Sequence, residues 1–437
     1  MKLSKYNIFS KLKDSDNYFL VNILTGNADI LSPEKAEEVT SGRITDTEEF
    51  ISKGYLSDES EEKKLYIRKY LDFIDQRDND EIQIFFVPWY ACNFACSYCY
   101  QSGYETEPGE ISLKVIDSFF AYISNEFKNR RKYITVFGGE PLLIGRKPFN
   151  IITYILKKAS ELNIDTAFVS NGYYLEEYVP LFKDKKIREI QVTLDGVGKL
   201  HDQRRPLKNN APTYEKIVRG IDMALENNIM INLRTVIDKD NITSLSALAE
   251  FAIKKGWTKS PFFKTQLGRN YELHYCQAAN NKLMTRLEFY EEIYNQLKNY
   301  PHIIEFYKPA FSISRFLFEN GELPPPLFDA CTGCKTEWAF DYTGNIYSCT
   351  ATVGKPGSSL GTFYPQINKI QDAIDEWESR DVTTIKECKD CSLQLACGGG
   401  CAEVACNKTG CLKSPDCRPV KELISMGISY YFKEELS

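Results

Sequence analysis

The stretch Cys92-Asn93-Phe94-Ala95-Cys96-Ser97-Tyr98-Cys99-Tyr100 decides how the rest of the chain is read. It follows the apolar run IQIFFVP (82–88), and a loop at the carboxyl end of a parallel strand is where α/β folds build their sites. Three thiolates cannot saturate a four-iron cube, which takes four, so one iron would stay open to an outside ligand. The plain alternatives are a zinc site short of one ligand, or buried thiols.

Outward from that loop, short apolar runs alternate with helical patterns. A helix over 112–129 is followed by YITVF (133–137), a helix over 150–162, TAFVS (166–170) and EIQVTL (189–194). Then come a helix over 214–227, INLRTVI (231–237), a helix over 244–255 and a last strand near 262–266. Six strand–helix alternations predict a parallel sheet, although periodicity does not say whether it is open or curled. Residues 1–80 read as a small α/β unit, with strand-like YNIFSKL (6–12) and YFLVNILT (18–25), a turn at Thr25-Gly26-Asn27 and a helix starting near Pro33. The charged stretch 57–64 reads as a linker or an exposed helix face. After a helical segment over 282–300, Pro324-Pro325-Pro326 opens a Gly- and Cys-rich region that runs to Cys417, with a closing helix behind it. The expected domains are therefore 1–80, 81–323 and 324–437.

With 437 residues, 43% hydrophobic and 26% charged, the chain can bury a large core. Its start carries Lys2, Lys5, Lys11, Lys13, Asp14 and Asp16 and no long apolar run, so the expectation is a cytoplasmic protein with no membrane partner. The first 80 residues hold 12 Lys and Arg against 17 Asp and Glu, which leaves only −1 of the total −6 for the remainder. No basic footprint for nucleic acid follows. Fourteen cysteines in a reducing compartment point to metal rather than to disulfides, while a lone one such as Cys276 reads as a small buried hydrophobe.

Downstream of the triplet, Gly138-Gly139-Glu140-Pro141 follows YITVF; its glycines allow close approach of backbone and Glu140 offers a carboxylate. Ser170-Asn171-Gly172 ends the third strand, Thr193 the fourth, and Arg205 lies in HDQRRP. The triplet, with Tyr98 before its last cysteine, and these motifs in this order resemble the radical S-adenosylmethionine (SAM) superfamily. The resemblance implies a partial (β/α)6 TIM-like barrel and a [4Fe-4S] cluster on Cys92, Cys96 and Cys99. It implies SAM contacts from Tyr98, from Gly138, Gly139, Glu140 and Pro141 to the methionyl amino group, from Ser170, Asn171 and Thr193 to the ribose, and from Arg205 to the carboxylate. Arg234 is the alternative to Arg205. One-electron reduction of SAM by such a site gives methionine and a 5′-deoxyadenosyl radical that abstracts hydrogen, with the protein orienting the cofactor and excluding water.

In the C-terminal region, Cys334 is followed after nine residues by Gly344 and after four more by Cys349; Cys388, Cys391, Cys397 and Cys401 follow at intervals of two, five and three, and Cys417 closes the set. C-x2-C alone suits zinc. The long ordered pattern resembles the SPASM domain, named for maturases of subtilosin, pyrroloquinoline quinone, anaerobic sulfatases and mycofactocin. It implies two further [4Fe-4S] clusters, three in all: Cys331, Cys334, Cys349 and Cys401 on the inner one, Cys388, Cys391, Cys397 and Cys417 on the outer. Cys331 and Cys334 stand closer together than the corresponding pair in sulfatase maturases, Cys411 is the alternative to Cys417, and Cys406 reads as a packing thiol.

The N-terminal unit resembles the small winged-helix-like element with which many peptide-modifying members bind a leader peptide, here through a strand edge near 18–23. The alternative is a structural cap. The combined expectation is a maturase that installs an oxidative cross-link (thioether, C–C or C–O) in a ribosomally made precursor peptide, served by an electron donor such as flavodoxin or ferredoxin. Formylglycine formation ranks lower, because the aspartate that takes a proton in sulfatase maturases is Thr350 here and threonine is no carboxylate base. An electron-transfer or zinc-structured binding protein is the non-enzymatic alternative.

Overall fold

The structure is a computed structural model that describes residues 1–103, 111–270 and 280–436; Cys276 lies outside them. In the N-terminal unit the two-residue strands β1 (Lys2–Leu3) and β5 (Leu56–Ser57) pair with each other. β2 (Asn7–Lys11), β3 (Tyr18–Asn22) and β4 (Asn27–Leu31) form an antiparallel sheet in the order β2-β3-β4. Helices α1 (Pro33–Ser41), α2 (Thr47–Ser52) and α3 (Glu59–Asn79) complete the unit.

One expectation is decided here and one changes. Of the two readings of 57–64 the exposed helix face holds: from Glu59 the stretch opens a 21-residue helix, capped by the Asp58 carboxylate, which accepts from the N–H groups of Ser60 and Glu61. The strand over 18–22 is central rather than an edge, because β4 pairs with it along its whole length. That third strand escaped notice because Asn27, Ala28 and Asp29 are poor strand formers and give no alternation. On the β2 side, helix α16 (Val420–Tyr431) covers the end of the strand: Ser425 Oγ donates to the Lys11 carbonyl at 2.9 Å. The open edge is β4.

The barrel strands β6 (Ile82–Val87), β7 (Lys132–Val136), β8 (Asp165–Ser170), β9 (Ile187–Thr193), β10 (Ile231–Ile237) and β11 (Phe263–Arg269) lie side by side in chain order, all parallel. They alternate with α4 (Leu113–Glu126), α5 (Arg146–Glu161), α6 (Leu175–Phe182), α7 (Lys199–Arg204), α8 (Tyr214–Glu226) and α9 (Leu245–Lys254). β6 is buried on both faces, as in a parallel sheet covered on each side: Ile82, Ile84 and Phe86 join the helix-side core, while Phe85 and Val87 pack with Phe137 and Ala339.

Among the described residues the sheet does not close. Its ladder continues past β6 into β12 (Glu337–Asp341), parallel to β6, and then antiparallel through β13 (Asn345–Tyr347), β14 (Gly361–Thr362) and β15 (Asn368–Lys369). The result is an unclosed (β/α)6 TIM-like barrel. The composition break at Pro324 is therefore no break in the sheet, because the apolar run Trp338-Ala339-Phe340 beyond it pairs with β6. Around it lie α10 (Arg286–Asn299), α11 (Ile303–Phe306), α12 (Ser314–Asn320), α13 (Gln371–Glu378), α14 (Gln394–Cys397) and α15 (Ala402–Thr409).

The N-terminal unit docks on the Cys-rich region. Tyr66, Tyr70 and Phe73 of α3 surround the Phe328 ring at 5.1–5.5 Å between centroids, and the Tyr66 and Tyr70 hydroxyls donate to Gln394 and Asp381.

Candidate functional site

The cysteine triplet sits in the loop after β6 and is pinned to the segment after α7. The Ala95 N–H donates to the Pro206 carbonyl (2.9 Å), Ser97 N–H to Arg204 (3.2 Å), and the Lys208 N–H to the Asn93 carbonyl (3.0 Å). Burial pushes the Cys92 thiol up to about 12, with Glu140, Cys96 and Cys99 as charged neighbours that add to it; burial raises Cys96 as well. Such thiols become ligands only when a metal displaces their protons.

Gly138 and Gly139 are required by another part of the chain. A Cβ on Gly139 would lie 2.3 Å from the carbonyl oxygens of Tyr90 and Ala91, and one on Gly138 2.7 Å from that of Trp89. The loop is zipped to the chain entering Cys92: Glu140 N–H donates to the Ala91 carbonyl (2.9 Å), and Trp89 Nε1 donates to the Glu140 carbonyl (2.6 Å). The Glu140 carboxylate faces inward. Oε1 accepts from Ser170 Oγ and the Leu142 N–H, each at 2.8 Å, and Oε2 accepts from the Asn171 N–H at 2.6 Å. Burial raises its pKa to about 7 against those hydrogen bonds. Glu140 thus clasps β8 to the triplet loop, while buried Pro141 follows it.

Asn171 continues the clasp by donating from Nδ2 to Asn93 Oδ1 at 2.8 Å. Thr193 is buried at the carboxyl end of β9. Arg205 Nη1 donates to the Tyr98 hydroxyl at 2.5 Å, and its guanidinium lies over the Phe94 and Tyr98 rings. Burial alone would lower its pKa, but Cys96, Tyr98 and Asp195 outweigh burial and keep it charged. Arg234 instead lies across Gly268 of β11.

Three residues escaped the sequence reading. Asp195 accepts from Tyr98 and from Arg204 Nε (3.3 Å), and Arg204 is held in turn by both carboxylate oxygens of Asp238 at 2.8 and 3.0 Å. Arg204, Asp195 and Asp238 are all buried. Their signal was charge next to the apolar ends of two strands, where a buried ion pair needs a reason.

The C-terminal thiols gather in two groups. Burial raises Cys349 well above its ordinary value, with Cys331 and Cys401 among its neighbours; Cys401 and Cys334 are likewise neighbours of Cys331. Burial pushes Cys388 up to about 12, with Cys397, Cys391 and Cys417 beside it, and Cys417 faces Cys397 and Cys391. Cys406 has Cys411 for a thiol neighbour instead, beside the Lys355–Glu403 pair. Thr350 gives its N–H to Glu337 Oε1 at 2.9 Å.

The residues fit the groups implied by the fold. Among the described residues, Asn93 Nδ2, Gln101 Nε2 and Arg205 Nε are buried donors for which no partner is found, clustered in sequence with the triplet and its docking segment. Among the described residues, no three of His, Cys, Asp or Glu are arranged to hold one metal ion. Tetrahedral zinc with 2.3 Å bonds would draw its thiolates to roughly 3.8 Å of one another, whereas a four-iron cube takes one thiolate at each corner.

Residues 86–252 match the family model described as the radical SAM superfamily, so this stretch of the chain is a radical SAM domain. The GTP 3′,8-cyclase of Nautilia profundicola is 31% identical over 169 residues, 38% of this chain and 51% of the relative. The chain thus spans about half the length of the cyclases it matches. A serine-type anaerobic sulfatase-maturating enzyme of Bacteroides thetaiotaomicron is 23% identical over 391 residues, 78% of this chain and 86% of that one. Among solved structures, anSMEcpe with bound AdoMet and Cp18Cys peptide superimposes with TM-score 0.61 at 16% identity, over 82% of this chain and 98% of that chain. Streptococcus suis SuiB bound to precursor peptide SuiA gives TM-score 0.51 at 16% identity, over 95% and 98%. At such identities the likeness is one of fold. Among the described residues no helix is long and apolar enough to cross a membrane.

Proposed function

We propose that this chain is a SPASM-type radical SAM maturase that installs an oxidative cross-link in a ribosomally made precursor peptide. The observation that carries the reading is that the likeness to SuiB, solved with a precursor peptide, extends over 95% of this chain and therefore takes in most of residues 1–80. The β4 edge supports it: among the described residues its outer side has no backbone partner, and Ile30 is exposed on it. An extended leader adding to that edge would gain main-chain hydrogen bonds.

Cys92, Cys96 and Cys99 would hold the cleavage cluster, and Arg205 and Asn93 would meet SAM with their unpartnered donors. Glu140, Ser170 and Asn171 act by fixing the loops around it. When bound, cluster and SAM supply the hydrogen-abstracting 5′-deoxyadenosyl radical. The substrate then has one electron and one proton still to lose before its new bond is complete. The inner group, Cys331, Cys334, Cys349 and Cys401, and the outer group, Cys388, Cys391, Cys397 and Cys417, would hold the two clusters that take the electron, and a flavodoxin- or ferredoxin-type donor would start the cycle.

A sulfatase-maturase reading draws on the anSMEcpe likeness, but Thr350 offers no carboxylate where that chemistry takes its proton. The test is anaerobic reconstitution with iron and sulfide, dithionite and SAM, then incubation with a short peptide encoded beside this chain. Deoxyadenosine release together with a peptide lighter by one hydrogen pair supports the proposal. Formylglycine in a sulfatase peptide and no change in the precursor would replace it with the second reading.

A further inference from the structure

We infer that Arg380 is the counter-charge shared by the two C-terminal cluster sites, clamping the loop that joins them and raising their reduction potentials. The inference rests on the reading that those eight cysteines bind iron–sulfur clusters.

Arg380 follows α13 and is 0% exposed. Its guanidinium is spent on main-chain carbonyls: Nε donates to Leu412 (2.8 Å), Nη1 to Gly400 (3.2 Å), and Nη2 to Gly399 and Ser414, each at 2.9 Å. These carbonyls belong to two segments that carry ligands. Gly398, Gly399 and Gly400 run from Cys397 of the outer group to Cys401 of the inner group, and 412–414 lead to Cys417. The three glycines hold φ of 62°, 72° and 71° in succession. A Cβ would lie 2.7 Å from the Ala330 nitrogen at Gly398 and 2.0 Å from the Asp416 carbonyl at Gly400. Only glycine permits this left-handed run, which turns the Gly399 and Gly400 carbonyls toward Arg380.

Carbonyl dipoles solvate a cation but do not neutralise it. The carboxylate in ion-pair reach of Arg380 is Asp329, at 3.9 Å, and Asp329 is already bonded to the Lys335 ammonium. Lys335 also donates to the Arg380 carbonyl at 2.8 Å. Two buried cations therefore share one buried carboxylate, while Asp416 is taken by Arg286 at 2.5 Å. An excess buried charge is strongly unfavourable unless something of opposite sign lies close by. A four-iron cluster with four thiolates is anionic, and one on either side of the glycine run would supply that sign. Since reduction makes a cluster more negative, a nearby cation stabilises the reduced form.

The test is a potentiometric titration followed by electron paramagnetic resonance, on the full chain reconstituted anaerobically in a Cys92→Ala, Cys96→Ala, Cys99→Ala background, so that only the C-terminal clusters contribute. Arg380→Gln should move at least one auxiliary potential to more negative values, Arg380→Lys should restore it, and Asp329→Asn should move it the opposite way. A merely structural role would not give opposite signs. Unchanged potentials in Arg380→Gln overturn the inference. Should that variant fail to retain iron, Asp329→Asn decides, and a zero or negative shift overturns it. If the parent binds no iron at all, the cluster reading itself falls and takes the inference with it.

Discussion

The Tyr98 hydroxyl donates to Asp195 Oδ2 at 2.5 Å and accepts from Arg205, so that the third cysteine's neighbour is tied to the strand end across the barrel mouth. The bond lies within a fully desolvated set of charges, where removing one partner strands the others.

Tyr98→Phe should therefore destabilise the chain by about 1–3 kcal/mol and loosen Arg205. Thermal unfolding and SAM titration on the reconstituted protein check this: a lower Tm with weaker SAM binding is expected, and a variant that matches the parent in both would remove Arg205 from the SAM site.

His201 gives a pH dependence. Its Nδ1 accepts the Asp195 N–H at 3.1 Å, and burial, helped by the charge of Arg205, holds its pKa down to about 3. The unfolded chain takes the proton first, near pH 6.5, so stability is lost as pH falls from about 6.5 toward 3, by up to about 1.4 kcal/mol per unit. His201→Gln should flatten that limb. Urea unfolding at several pH values would show it, and parallel profiles for the two proteins would refute it.

The three four-iron clusters proposed above would give about twelve irons per chain. Replacing Cys92, Cys96 and Cys99 by Ala should lower the content to about eight and abolish deoxyadenosine release. Turnover by the triple variant would end the radical SAM mechanism.

Deleting residues 1–80 is a poor test of leader binding, because the α3 rings that cover Phe328 would go with them. Ile30→Lys places a charge on the β4 edge instead. It should weaken precursor binding about tenfold or more, roughly 1.4 kcal/mol, and leave uncoupled deoxyadenosine release unchanged. Undiminished precursor binding would make the unit a structural cap.

Much of this architecture could be read in advance because most barrel strands carry a buried apolar run, and such runs stand out whatever surrounds them. The triplet, GGEP and the cysteine spacings were legible for a related reason: thiols and glycines are there for chemistry or close approach. What stayed hidden depends on contacts between distant segments. β4 is a strand because β3 needs a partner, and the Glu140 carboxylate turns toward Ser170 and Asn171 rather than outward. Nothing local to GGEP foretells that. Likewise, Trp338-Ala339-Phe340 read as part of a separate region until its partner was seen to be β6.

That last pairing has a mechanical consequence. Since 337–341 is laddered to 83–87 along its length, the wall carrying Cys334 and Cys349 cannot swing relative to the loop carrying Cys92 without breaking a parallel ladder. Electron tunnelling between the two sites would then run over a fixed gap, insensitive to what the substrate does. Among the described residues the opposite flank ends at β11, with no strand paired beyond it, so on the proposed reading the freedom to admit and release a peptide would belong to that side. A spin-label pair spanning β6 and β12 should keep one narrow distance throughout turnover, while labels across the β11 flank broaden when peptide binds.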